Sequence, residues 1–523
     1  MSRYLLLSVL LVLATCSPTS TAENTHSSQP QTAVLLVNNS NPENLEANPI
    51  LALPILQQSD ELQVTHGPIS GEVTATAVTL WARGNITGAL QFELASTNAF
   101  TDTLGTGTVD VTPESDFTGE TRIHSLTPGT LYHYQVTLSN SEEASNAVFG
   151  QFQTAPDTET AVAFDFTFGG DIGGQNFCRN VETGWDIFQT ILAQEGDFFI
   201  MTGDSAYVDD ACDGEHNVPG AEGPYHDLAG FRTRYKYQLE DDHYGEFLAK
   251  TAVYVTWDDH EIINDFGGPA LNHINPKLFA AGQQAYFEYW PINGTDEDPY
   301  RLHRKVSYGT HADFFILDTR SYRDPNVNWD PNPNTLAPKS MLGAEQFAWL
   351  QDRLSESNAT WKFIVSSTPL SYPTGFPQPQ VDGRDGWANF TEKSGYESEL
   401  LALTFYILNQ DIENVVFITG DVHWPHAISY DPDRDGTADF MEIATGPISA
   451  ITLPPPETPD PTLNPTVLYA EGEFLGGLFN FGKVSIDKDG NLMYQVIDGQ
   501  GEIRYELSLM PILAVEEDGE ESP

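Results

Sequence analysis

VYVTWDDHEIINDF, residues 253–266, sets an apolar run of β type directly against four ionisable side chains, Asp258, Asp259, His260 and Glu261. Burying such groups without partners is very costly, and a turn has no need of them. A buried strand that ends in a burst of acid is the pattern of a layered α/β sheet. In such sheets ligands gather beyond the carboxyl ends of the strands.

The same pattern recurs on either side. AFDFTFGGD ends at Asp171, and DFFIMTGDSAY runs into Asp204 and Tyr207. ADFFILDTRSYR supplies Asp318, Arg320 and Arg323, and NVVFITGDVHW supplies Asp421 and His423. Between them GWDIFQTILAQEG places Trp185, Phe188, Ile191 and Leu192 on one helical face, and LGAEQFAWLQDRLSE aligns Phe347, Leu350 and Leu354. WKFIVSST reads as another strand. A single Asp at a strand end is an ordinary turn cap. Charges from several strand ends of one sheet would repel one another on a common rim, and bound cations resolve that repulsion. Carboxylate, imidazole, amide and phenolate donors suit iron, manganese, zinc or calcium. The lack of paired Cys motifs argues against structural zinc.

The chain has 523 residues, enough for several domains and an ample core. Asp and Glu number 75 against 23 Lys and Arg, a formal net charge of −52. That surface repels nucleic acid and anionic membranes, which argues against a phosphate-backbone binder, and no nucleic-acid binding is expected beyond a substrate role. MSRYLLLSVLLVLATCSPTSTAENT opens the chain as a secretory leader too short to span a bilayer, with Ser20 and Ala22 fitting cleavage after Ala22. LATC, residues 13–16, offers a second reading, lipid anchoring through Cys16. No later run is long and apolar enough to cross a membrane. Cys178 and Cys212 remain, an even pair in an exported chain, and a disulfide is expected over two buried free thiols.

The expected organisation is a signal peptide over 1–22, a disordered linker over 23–60, a β-sandwich over 61–156, a catalytic α/β domain over 162–510 and an acidic tail over 511–523. Short alternating strands with frequent turns carry the sandwich, and LTPGTLYHYQV resembles the tyrosine corner of fibronectin type III-like modules, through Tyr132 or Tyr134. FGKVSIDKDGNLMYQVIDGQGEIRYELSLM reads as closing hairpins.

GGDIGGQ, GDSAY, WDDHEIIN, LDTRSYR and TGDVHW, in that order, resemble the alkaline phosphatase D (PhoD-type) family of calcineurin-like metallophosphoesterases. The similarity covers roughly residues 62–510 and takes in VTHGPISGEVTATAVTLWAR and EIATGPISA. The resemblance implies a layered α/β metallophosphoesterase sandwich behind a fibronectin- or Ig-like β-sandwich. It implies a dinuclear or trinuclear metal site, ferric iron with calcium, zinc and manganese being the rivals. Asp171 stands where well-known relatives carry Cys, which leaves the first metal open. Asp204 matches the bridging carboxylate and Tyr207 the tyrosinate. Asp259, Asp421 and His423 match further ligands, and Asn264 is expected as another polar site residue. His260 matches the histidine that contacts phosphate and protonates the leaving group. Asp258 and Glu261 are expected to orient the site from behind. Arg320 supports two readings, phosphate binding and an ion pair with Asp318.

The resemblance also implies the reaction: an exported, periplasmic or extracellular monomer hydrolyses small phosphate mono- or diesters through a metal-bound hydroxide. The rival from another class is a non-catalytic adhesion protein held together by calcium. Two further stretches stand open. DPDRDGTADFME, residues 431–442, fits a calcium-loop pattern with Asp431, Asp433, Asp435 and Glu442 as ligands, or an acidic hairpin turn. GFPQPQVDGRDGWANF, residues 375–390, reads as a substrate loop using Arg384 or Trp387, or as a surface excursion held by Trp387.

Overall fold

The computed structural model of the protein describes residues 61–266, 276–295, 297–325, 328–331, 333–374, 385–389 and 393–512. The leader with Cys16, the linker, Arg384 and the tail from 513 onward lie outside the described residues.

The chain opens with strands β1 (Val64–Gly71), β2 (Ala77–Gly84), β3 (Gly88–Ala95), β4 (Gly105–Val111), β5 (Thr118–His124), β6 (Leu131–Ser139) and β7 (Val148–Gln153). Strand and helix then alternate: β8 (Phe164–Gly169), α1 (Ile187–Leu192), β9 (Phe198–Met201), α2 (Leu228–Leu239), α3 (Asp242–Lys250), β10 (Ala252–Val255) and α4 (Pro276–Tyr289). After these come β11 (Arg304–Tyr308), β12 (Ala312–Ile316), α5 (Gly343–Ser355), β13 (Trp361–Val365), α6 (Glu397–Asn409) and β14 (Val415–Thr419). The last strands are β15 (His426–Tyr430), β16 (Phe440–Ala444), β17 (Pro465–Ala470), β18 (Asn480–Ile486), β19 (Leu492–Asp498) and β20 (Ile503–Leu509).

Alternation decides the layers, because successive strand residues point to opposite faces. Phe198 and Ile200 of β9, Phe314 and Ile316 of β12, and Phe363 and Val365 of β13 share one core. Phe166 stacks on Phe198 at 5.3 Å and Phe314 on Phe363 at 5.0 Å between ring centroids. The intervening residues Phe199 and Met201 face outward onto residues of α1 to α4. Phe315, Ile364 and Phe417 do the same onto α5 and α6. Two sheets thus meet face to face with helices outside, and continuous apolar strands are what burial on both faces requires.

The first sheet is nine-stranded, β20-β19-β18-β8-β9-β10-β1-β2-β5, and the second is seven-stranded, β11-β12-β13-β14-β16-β15-β17. β8, β9 and β10 run parallel, as do β12, β13, β14 and β16. Their carboxyl ends therefore open on a shared rim. The expected hairpins at the end of the chain are present as β18, β19 and β20.

The N-terminal strands are tied in more closely than their composition suggests. β4-β3-β6-β7 form their own sheet, but β1 pairs in parallel with β10 at Gly71 and Val253. The ladder therefore continues across the expected boundary near residue 156. Tyr132 accepts the backbone N–H of Thr127 at 2.9 Å, which makes it, rather than Tyr134, the corner tyrosine. Among the described residues no helix is long and apolar enough to cross a membrane.

The excess of acid makes a prediction about stability. Self-repulsion of a surface this negative opposes the compact state. Raising KCl from about 0.1 M to about 1 M shortens the screening length from roughly 10 Å to 3 Å. The melting temperature is expected to rise over that range, and calorimetry showing it flat or falling would remove the repulsion argument.

Candidate metal centre

Four of the expected ligands sit on backbone that most residues avoid. Asp171, Asp204, Asp421 and His423 have φ of 58°, 49°, 70° and 61°. A left-handed residue costs most side chains about 1–2 kcal/mol, and Asp and His are among the few that take the region up comparatively readily. Such strain persists where surrounding structure over-determines it, typically at functional sites. Here it turns the chain sharply at each strand end and throws the side chain onto the rim. The glycine of the GD pair has its own reason: Gly203 lies at φ 121°, and a Cβ there would come within 2.7 Å of the Asp258 Cβ.

The side chains converge. Asp171, Asp204 and His423 offer donor atoms within 4.8 Å of one another, as do Asp204, Asp259 and His260, and Asp258, Asp259 and Asp421. Asp204 belongs to two of these groups, as a bridging carboxylate would. The Tyr207 hydroxyl lies 2.9 Å from His423 Nε2 and 3.4 Å from Asp171 Oδ1, fully buried. Cys178 and Cys212 are bonded, with Cα atoms 5.7 Å apart, so the segment after Asp171 is tied to the one after Tyr207.

The donor set fits cations. Asp171 Oδ2, Asp204 Oδ2, Asp258 Oδ2, Asp259 Oδ1 and Asp421 Oδ2 are buried with no hydrogen-bond partner among the described residues. Native proteins rarely leave such atoms unsatisfied. Burial, then the charges of Asp258 and Asp259, push the Asp171 carboxyl up to about 8. Burial and Asp259 hold Asp204 well above its usual range. His423 is arranged the opposite way. Burial, with repulsion from His260, lowers it to about 4, so it is neutral. Its Nδ1 donates to the Ile451 carbonyl at 2.5 Å, leaving the Nε2 lone pair facing Tyr207 and Asp171. That is how proteins orient a ligating imidazole.

His260 is built for a different task. Its Nδ1 lies 2.8 Å from Asp209, and its backbone N–H donates to Asp204 at 3.1 Å. Burial opposes its charge, but Asp209, Asp259 and Asp204 together raise its pKa well above the usual value. Glu261, expected as a support, is one. It accepts the Ser205 N–H and hydroxyl, each at 2.6 Å, and the Asp258 N–H at 2.9 Å. It thereby fixes two ligand-bearing turns to each other. Burial pushes its carboxyl up to about 7.

Several expectations are placed differently. The Arg320 guanidinium is fully buried, 2.6 Å from Asp258 and 2.6 Å from Asp385, and only its backbone N–H reaches Asp318, at 3.0 Å. Ion pairing holds Arg320, with partners other than the one the sequence offers. Asn264 is exposed, and its backbone N–H donates to Asp209 at 2.6 Å. Trp387 is fully buried and donates to Ser366 at 3.0 Å, a packed position, while 375–384 and 390 of the expected substrate loop lie outside the described residues. Glu442 is no partner of the acidic turn. It lies in β16, wholly buried, and takes hydrogen bonds from Leu370 and Thr419. Asp439 takes its place beside Asp431 and Asp433. Asp435 caps the turn by accepting the Thr437 N–H at 2.7 Å.

Three acids escaped the sequence reading. Asp265 and Asp385 join Asp259 in a further cluster. Asp209 holds His260, and it could have been found, since it stands two residues after Tyr207 in GDSAYVDD.

Comparison with known proteins agrees with this geometry. Residues 170–490 match the model of the PhoD-like phosphatase family, and residues 51–156 match the model of the PhoD-like phosphatase N-terminal domain. Alkaline phosphatase D of Bacillus subtilis (strain 168) is 26% identical over 413 residues, 72% of this chain and 67% of that protein. The solved structure of PhoD superposes with a TM-score of 0.68 at 20% identity, covering 87% of this chain and 93% of the other. A purple acid phosphatase from yellow lupin seeds, PPD1, shares the fold with a TM-score of 0.56 at 12% identity, over 85% and 74% of the two chains. The fold family, together with the acid and histidine clusters, implies a metal-dependent site. By the family match over 170–490, which spans more than half of its length, the chain belongs to the PhoD-like phosphatases and is a phosphoesterase.

Proposed function

We propose that this chain is an exported metal-dependent phosphoesterase that hydrolyses small phosphate mono- or diesters. The observation that carries the reading is the set of lone buried carboxylate oxygens aimed at one space from separate strand ends. Asp171, Asp204, Tyr207 and His423 would hold one cation. Asp204, Asp259 and Asp421 would hold a second, with Asn264 the remaining polar candidate. Hard oxygen donors favour ferric iron beside calcium, with zinc or manganese as rivals. When bound, such a pair supplies Lewis acidity toward a phosphate ester and acidifies water to a pKa of roughly 7.

The chain's own residues supply the rest. His260, kept protonated by Asp209, has a proton to give to the leaving alkoxide. Arg320 acts one step back, holding Asp258 and Asp385 in place. A leader ending at Ala22, a linker to residue 60 and a β module over 61–156 ahead of the catalytic region 162–510 belong to the same reading.

The test is direct. Metal-loaded protein is expected to release p-nitrophenol from p-nitrophenyl phosphate or from its bis ester. Inactivity toward both, with metal content verified, would sink the reading.

A further inference from the structure

Glu442 is a fully buried carboxylate outside the rim, and its contacts are arranged around one short loop. Its Oε1 accepts the Thr419 hydroxyl at 2.9 Å and the Leu370 N–H at 3.0 Å. The same oxygen lies 3.4 Å from His426 Nε2, and Oε2 accepts the Tyr430 hydroxyl. Thr419 is the last residue of β14 and His426 the first of β15. Everything between them is the loop that carries Asp421 and His423, both in the left-handed region. Leu370 follows β13, whose end also reaches the rim through Ser367, a donor to Asp258 at 2.6 Å.

Strained ligand positions persist only where surrounding structure over-determines them; backbone pairing fixes the ends of this loop, and Glu442 adds a hold on the side chains at those ends. Thr419 and His426 are those ends, and one carboxylate contacts both. The arrangement mirrors Glu261, which ties the Ser205 and Asp258 turns on the other sheet. Without Glu442, β14 and β15 would still each pair with β16, at Thr419 with Ala444 and at His426 with Ala444. The backbone ladder therefore does not need this acid, whereas the side-chain ends of the loop do. An apolar residue would fill such a core position more cheaply than a charge that must be fully solvated by donors.

Resting on the metal-centre reading above, we propose that Glu442 is a positioning residue: it clamps Thr419 and His426 so that Asp421 and His423 are held in ligating geometry. Its loss then weakens cation binding at the rim without removing any donor from it. Groups hydrogen-bonded to metal ligands characteristically cost 10–100-fold in affinity when altered, and Glu442, which acts through Thr419 and His426 and not on a ligand directly, belongs at the lower end.

The experiment is titration of the metal-stripped full chain with Mn2+ by calorimetry. Glu442→Gln keeps the shape and is expected to weaken Mn2+ binding by roughly tenfold, the lower end of the effect of groups that support metal ligands. Val496→Ala, a buried core change in β19, serves as a stability control: it is expected to lower the melting temperature and leave Mn2+ affinity as in the parent. Should Glu442→Gln not fold, a second pair decides. Thr419→Val and Tyr430→Phe each remove one hydrogen bond to the same carboxylate, but only Thr419 leads directly into the loop. Thr419→Val is expected to weaken binding about fivefold, the worth of one hydrogen bond, and Tyr430→Phe, which acts only through Glu442, to weaken it less. Parental affinity in folded Glu442→Gln, or equal losses in Thr419→Val and Tyr430→Phe, would overturn the clamp alone. A parent chain that takes up no Mn2+ would overturn the metal centre and the clamp together.

Discussion

Asp204→Asn is expected to lose hydrolysis by on the order of 10³-fold, while its metal-free form melts higher than the metal-free parent. The first effect follows from position. Asp204 is shared by two donor clusters, and Asn cannot carry the charge that holds two cations together. Lewis-acid stabilisation is worth several kcal/mol, and about 4 kcal/mol is roughly three decades in rate. The second effect follows from electrostatics. Burial and the Asp259 charge hold the Asp204 carboxyl well above its usual range, so its ionised form strains the cation-free fold. Asn removes that charge and keeps an acceptor for the His260 N–H that Asp204 now binds. Steady-state kinetics and calorimetry on the same preparations check both halves. A variant with parental activity would take Asp204 out of the centre. A variant both inactive and less stable would be uninformative about catalysis, and would show that Asp204 serves the fold.

Chelation carries the next largest effect. Stripping the cations is expected to abolish activity and to make stability strongly dependent on pH. Asp171 is pushed up to about 8, Glu261 to about 7 and Asp258 to about 6, all first by burial. In the unfolded chain such carboxyls titrate near 4. A carboxyl raised on folding binds more protons in the folded state. Stability of the stripped protein is therefore highest below about pH 4 as far as these groups are concerned, and falls as pH rises from there toward 8. Cations reverse the sign, because they neutralise the carboxylates without protons. Melting curves between pH 5 and pH 8, with and without chelator, are expected to diverge toward alkaline pH. Parallel curves would mean that the cluster does not depend on cations for its charge balance.

The parts of the site that are legible from sequence share one property: they are local. An apolar strand followed within four residues by Asp, His or Tyr can be read from a few neighbours, and Asp171, Asp204, Asp259, Asp421 and His423 all fit that pattern. The left-handed turn at Asp171, Asp204, Asp421 and His423 lies within the same few residues. What escaped was long-range. Asp209 meets His260 across 51 positions, and Arg320 meets Asp385 across 65. Glu442 sits at the right spacing for a calcium loop, yet it lies in β16, a strand whose five residues are all buried. Spacing alone could not tell, since burial of this strand on both faces is set by the sheet and helices packed against it.

The amino-acid sequence by itself determined the element types, the apolar strands buried on both faces and the acid-rich rim beyond them, because each depends on contacts within a turn or a strand. Only the tertiary structure decided which acids face the cations and which brace them from behind. A carboxylate's role is set by the charges and donors within a few ångströms, and here those neighbours arrive from other strands of two facing sheets.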